Sequence, residues 1–128
     1  MISSLLILVS AATAPALDCA SPQTQLAMNV CSFQDYQAAD KALNAAWKAA
    51  QQFAQQADRD SPPARKADSA VAQLLAAQRA WIAYRDAHCL ALADQYRGGS
   101  IRPLIKNTCM TDLTKTRTAQ LREFSETN

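Results

Sequence analysis

The chain has 128 residues, a formal net charge of +2 and 19% charged residues. That length suits one domain with a single core. The near-neutral balance gives no electrostatic ground for a nucleic-acid partner or an anionic membrane surface. The first residues, Met1 to Ala12, form a short apolar run, and Ala14-Pro15-Ala16 follows as a small-x-small cleavage site. Residues 1–16 are therefore expected to be a secretory signal peptide, with a weak n-region because no Lys or Arg precedes the run. The run is short of the roughly 20 apolar residues that span a bilayer. Asp18 ahead of Cys19 does not suit a lipid-attachment box. The functional domain is then residues 17–128, periplasmic or secreted.

The four cysteines, Cys19, Cys31, Cys89 and Cys109, all fall in that domain. An even count in an exported chain reads as two disulfides. The composition favours Ala, Gln, Leu, Lys and Arg, which are good helix formers. Period-two runs of β-branched residues are absent. The fold class is all-α: an antiparallel bundle of three main helices stapled by two disulfides.

The first helix is expected after Ser21-Pro22, a cap followed by proline at the first helical position, and runs to about Ala57. Its inward stripe would be Leu26, Val30, Phe33, Asp40, Leu43, Trp47, Ala50 and Ala54. The segment from Asp58 to Pro63 breaks it. Ser61-Pro62 repeats the cap signal and is expected to open the second helix, which ends near Tyr96. The second stripe is Val71, Leu74, Gln78, Trp81, Arg85, Cys89, Leu92 and Tyr96. Arg97-Gly98-Gly99-Ser100 closes that helix with a glycine C-cap. Ser100 then caps a third helix carrying Ile101, Leu104, Ile105, Cys109, Leu113, Arg117, Leu121 and Phe124, with a tail that frays from about Glu126.

Short turns force these helices to run antiparallel. At roughly 1.5 Å per residue, Cys89 and Cys109 both lie roughly 13 Å from the glycine turn, so they can meet. Cys19 is then left for Cys31. A Cys31–Cys89 bridge stays open, because counting through the first turn brings those residues near one level. The same counting places Asp40, Arg85 and Arg117 in one layer beside Trp81 and Tyr84. An arginine on a core-facing stripe needs a partner, since an unpaired buried charge is very costly. Its planar fork suits a carboxylate.

Catalytic constellations do not emerge. His88 is the single histidine of the chain, so neither a histidine metal site nor a Ser/His/Asp triad can be assembled around it. Cys89 beside it points about 100° away on a helix and is better used in a disulfide. No pair of carboxylates shares a clean helical face, and Gly98-Gly99-Ser100 is too short for a phosphate loop. The expectation is a non-enzyme without cofactor or metal.

The spacing Cys19, Met28-Asn29-Val30-Cys31, Ala39-Asp40-Lys41-Ala42-Leu43-Asn44, Gln78 through Cys89, Gly98-Gly99-Ser100, Cys109, Leu113-Thr114, Arg117-Thr118 and Leu121 resembles the LprI-type lysozyme inhibitor N-terminal domain family. The resemblance covers essentially all of residues 17–128. It departs from the family in Trp47 and His88, where tyrosine and glutamate are common, and from the family's lipoprotein namesake in lacking a lipid-attachment box. It implies a small exported bacterial helical domain and a monomeric inhibitor that binds lysozyme by occluding the muramidase cleft. A periplasmic accessory domain that binds another envelope protein or peptidoglycan is the alternative. The turn Arg97, Gly98, Gly99 and Ser100 is the candidate partner-binding element, because a protruding cation can face the paired carboxylates of such a cleft. The acidic turn at Asp58 and Asp60 is the other candidate surface.

Overall fold

The computed structural model describes residues 17–126, so the expected signal peptide of residues 1–16 lies outside the described residues. Three α-helices account for most of the described chain: α1 (Gln25–Asp60), α2 (Ala70–Ala93) and α3 (Arg102–Glu126), with no strand among the described residues. They run up, down and up, so α1 and α3 are parallel. These two lie side by side along the greatest length, and α2 packs against both.

α1 begins later than the Ser21-Pro22 signal. Thr24 is the cap, its side chain accepting from the Ala27 amide at 3.0 Å. The segment before it is folded back by the Cys19–Cys31 disulfide (Cα–Cα 5.4 Å), which sets where the helix can start. Cys89 and Cys109 form the second disulfide (Cα–Cα 5.5 Å). This closes the alternative Cys31–Cys89 pairing.

The start of α2 also departs from the sequence expectation. Ser61-Pro62 does not open a helix, because Pro63 disfavours the α conformation at Pro62. Residues 61–69 instead form a connection with one 3-10 turn at Lys66–Asp68, and Ser69 caps α2 by accepting from the Ala72 amide at 3.0 Å. Asp58, from the last turn of α1, adds a second cap. Its carboxylate accepts from the Ala70 amide at 2.7 Å and the Val71 amide at 3.0 Å. An anion on free N–H groups at a helix start is stabilising through both the hydrogen bonds and the helix dipole. This connection sets the level of α2 along α1, with Arg85 3.9 Å from Asp40.

α2 is followed by a 3-10 turn at Asp94–Tyr96 and then the glycines. Gly98 has φ of 81°, the left-handed region that favours glycine. A Cβ on Gly99 would stand 3.1 Å from the Tyr96 carbonyl oxygen, so this position is restricted by close approach. α3 starts two residues beyond Ser100, whose carbonyl is used elsewhere, accepting from Asn29 Nδ2 at 2.9 Å. That bond ties the turn to the start of α1.

The core divides into two apolar clusters. One, at the Asp58 end, joins Leu43, Ala46, Ala50, Ala54, Leu74 and Leu121, with Trp47, Trp81 and Phe124 against it. The other, at the glycine end, holds the Cys89–Cys109 disulfide and Met110, with Tyr36 and Leu113 packed on it. α3 also buries Thr111, Thr114 and Thr118, which the apolar stripe omits. Thr111 and Thr118 donate to the carbonyls of Asn107 and Thr114, one turn back, so their hydroxyls enter the interior satisfied. Leu26, Val30 and Phe33, expected in the core, are instead 72%, 38% and 47% exposed. Beyond Phe33 the inward face of α1 is Ala39, Leu43, Ala46, Ala50 and Ala54, not the face that carries its larger N-terminal side chains.

The Asp58 cap yields a stability prediction. Asp58→Ala should lower unfolding stability by about 1–2 kcal/mol, the usual worth of an N-cap acceptor. Asp60→Ala, which loses one exposed bond from Gln56, should change it little. Chemical denaturation of the two variants checks this, and equal midpoints would mean the Asp58 carboxylate is not seated on α2.

Candidate functional site

Two charged groupings organise the surface and interior, and both contain residues singled out by sequence. The first is built on Arg85. Its side chain is 8% exposed, although Asp40 and Asp86 beside it are 41% and 49% exposed. Arg85 Nε and Nη2 both reach Asp86 Oδ1 at 2.9 Å. Nη1 donates to Thr114 Oγ1 at 3.3 Å and stands 3.9 Å from Asp40 Oδ1. The guanidinium carbon lies 4.9 Å from the Trp81 ring centroid and 5.6 Å from that of Tyr36. Two aromatic rings within cation–π range attract the cation while carboxylates and a hydroxyl engage its N–H edge. Burial raises the Tyr36 pKa above its ordinary value, with Arg85 opposing that shift.

Arg117 is not in this group. It is half-buried one layer toward the Asp58 end, where Nε donates to Gln78 Oε1 at 3.0 Å and Nη1 to Gln120 Oε1 at 3.2 Å. The structure thus brings Asp40 to Arg85 and takes Arg117 to two glutamines. Gln78, the other polar residue on the second stripe, is the buried acceptor that holds Arg117. Tyr84 is 56% exposed and stacks on His88, ring centroids 5.4 Å apart, away from the layer.

The second grouping is the glycine turn. Arg97 Nη2 is 2.7 Å from Asp94 Oδ2, and Arg102 Nη2 is 2.6 Å from Asp94 Oδ1. Hydrogen bonds from Arg102 first, and Arg97 second, hold the Asp94 carboxyl below its ordinary pKa. One carboxylate therefore serves two guanidinium groups, and Arg97, at 79% side-chain exposure, is the more accessible of them. The same end carries the exposed Leu26, Val30, Phe33 and Tyr96. Their contribution is not evident from sequence, where helical spacing assigns them to the core.

These groupings sit on a small three-helix domain fastened by two disulfides. Residues 18–121 match the family model described as "Lysozyme inhibitor LprI", so the chain belongs to the LprI lysozyme inhibitor family. It is also 38% identical over 113 residues to "Uncharacterized protein R02472" of Rhizobium meliloti (strain 1021), covering 88% of this chain and 81% of the relative. No solved structure matches it.

Two predictions follow the two groupings. Asp40→Ala should cost under about 1 kcal/mol, because Asp40 is partly solvated and Asp86 still pairs Arg85. Asp40→Ala combined with Asp86→Ala should cost about 3–5 kcal/mol, more than the sum of the single variants, because it strands a buried cation. A double-mutant cycle by denaturation measures this, and strict additivity would mean that Arg85 does not share the two carboxylates. For the turn, a depressed carboxyl pKa means that the native pairing contributes above the unfolded carboxyl's pKa and is lost as pH falls through the lower, folded value. An NMR titration should find Asp94 ionising below the usual carboxylate range. In the Arg97→Ala, Arg102→Ala variant its midpoint should move back up.

Proposed function

We propose that the chain is an exported, monomeric, non-enzymatic inhibitor of a lysozyme, acting by occluding the muramidase cleft. Residues 1–16 are the signal peptide, residues 17–128 the inhibitory domain, and the protein works in the periplasm or outside the cell. Membership of the LprI family over residues 18–121 carries this reading. The disulfides support export, since such bridges persist in oxidising compartments.

The end of the bundle at Arg97, Gly98, Gly99 and Ser100 is the surface we favour. Lysozyme-type sites present two carboxylates flanking the scissile bond. Arg97 can leave Asp94 for such a carboxylate because Arg102 keeps Asp94 paired, so the exchange strands no charge. Phe33, Tyr96, Leu26 and Val30 around that end supply the aromatic and aliphatic area from which binding hot spots are made. The Asp58-Arg59-Asp60 turn is less suited, since Asp58 is committed to the start of α2. At net charge +2 the chain gains no long-range steering toward a basic enzyme, so binding would rest on local complementarity.

Activity assays with the oxidised domain test the reading. Wild type should inhibit at least one lysozyme of animal, phage or bacterial origin at about micromolar concentration, a binding free energy near −8 kcal/mol. Arg97→Glu should weaken inhibition by at least about tenfold, or about 1.4 kcal/mol. Asp60→Lys should leave it intact. Absence of inhibition by folded wild type across that set would redirect the assignment to an accessory domain for another envelope protein or peptidoglycan. Loss with Asp60→Lys but not Arg97→Glu would move the surface to the opposite end.

A further inference from the structure

Between the first half of α2 and the second half of α3, away from the glycine turn, lies a groove of about 410 Å³. Its size falls in the range of about 300–1,000 Å³ typical of small-molecule sites, which are mostly apolar with a few placed polar groups. Leu74, Leu121 and Phe124 line its apolar part, Ala77 forms one wall, and Arg117 and Gln120 supply its polar edge. Among the arginines that are at least partly buried (Arg85, Arg102 and Arg117), the cation at that edge is handled differently. Arg85, Arg97 and Arg102 each stand beside a carboxylate. Arg117 has hydrogen bonds only to the neutral amides of Gln78 and Gln120, and no ion pair among the described residues. Burial pulls its pKa below the ordinary arginine value, so the environment penalises the charge without an anion to offset it. A guanidinium has five N–H donors in a fork shaped for a carboxylate, and two engaged on amides leave donors to spare.

We propose that this groove binds a free aliphatic carboxylate of medium chain length, its hydrocarbon laid on Leu74, Leu121 and Phe124 and its carboxylate taken by Arg117. Charge complementarity selects the head: an anion removes the imbalance at Arg117, whereas a neutral alcohol or a cation does not. The apolar lining selects the tail. Concavity favours a small molecule over a flat protein surface. The site is separate from the surface proposed above for lysozyme, since it lies along the other half of α2 and α3 and shares no residue with the turn.

The test is calorimetric titration of the oxidised domain with sodium octanoate and, separately, with 1-octanol of the same chain length. Octanoate should bind one to one with Kd of about 1 mM or tighter, within the efficiency open to a ligand of this size. Octanol should bind at least about tenfold more weakly. Arg117→Gln should reduce octanoate to the octanol level, and Ala77→Phe, which fills the groove from an exposed helix position, should abolish both. The wild-type comparison and Ala77→Phe decide the matter even if Arg117→Gln proves unstable by circular dichroism. Absence of saturable octanoate binding, equal binding of octanol, or octanoate binding unaffected by Ala77→Phe would each overturn the proposal. Tighter binding of acetyl-alanyl-leucine than of octanoate would also overturn it, in favour of a peptide C-terminus.

Discussion

Arg85 is the side chain on which all three helices converge. It lies within cation–π range of Trp81 of its own helix and Tyr36 of α1, bonds Thr114 of α3, and takes its counter-charge from Asp86 and the nearby Asp40. It also separates the two apolar clusters of the core. An aliphatic residue at this level would tolerate a slide of α2 by a turn. A guanidinium with directed donors would lose its partners in any other register and leave its charge buried. The layer thus converts a weakly specified helix pairing into one arrangement. Buried polar groups fixing register are best attested in coiled coils, and the same logic applies here because neither flanking cluster is large.

The modest size of those clusters follows from the side chains that α1 and α3 contribute. Ala39, Ala46, Ala50 and Ala54 face inward on α1, and Thr111, Thr114 and Thr118 do so on α3. Small residues let two backbones approach closely but bury little apolar area per residue. α2 gains less from packing than its composition allows, with Val71, Leu75, Ile82 and Leu90 all more than a third exposed. The Cys89–Cys109 bridge compensates at the glycine end by fastening α2 to α3 covalently, with a loop of 20 residues for which chain-entropy models give about 3 kcal/mol. At the other end, the Asp58 carboxylate on the α2 amides does related work by hydrogen bonding.

Much of this was legible in the sequence because it depends on periodicity and level. The all-α class, the three helices, the glycine turn and the pairing of Cys89 with Cys109 follow from helical spacing and from the distance of each cysteine to the turn. The meeting of Arg85 with Asp40 was approachable by the same count. What stayed hidden has a common cause: polar residues serving as structure. Thr111 and Thr118 of α3 look like solvent-facing positions, yet they are buried with their hydroxyls satisfied by the preceding turn. Gln78 gives no sign that it holds Arg117. Asp58 looks like a loop residue and is a cap. Hydrophobicity misled in the opposite direction at Leu26, Val30 and Phe33, where helical spacing promised a core that the bundle does not extend to cover.

The arginines show how one residue type can be given three uses by its partners alone. Arg85 is buried and committed to the Asp86 carboxylate, Thr114 and two aromatic rings, so a ligand would have to draw it from a charge pair. Arg97 shares Asp94 with Arg102, so its bond can be exchanged without leaving a carboxylate alone. Arg117 has neutral partners and spare donors beside an apolar groove. The electrostatic cost of removing each from its partners therefore falls in that order, from a stranded buried charge, through the exchange of one exposed pair for another, to no ion pair lost at all. Capacity to recognise an external anion should rise in that same order, from Arg85 through Arg97 to Arg117. Net charge, at +2 for the whole chain, conceals this ordering, because recognition depends on which cations the fold has left incompletely paired.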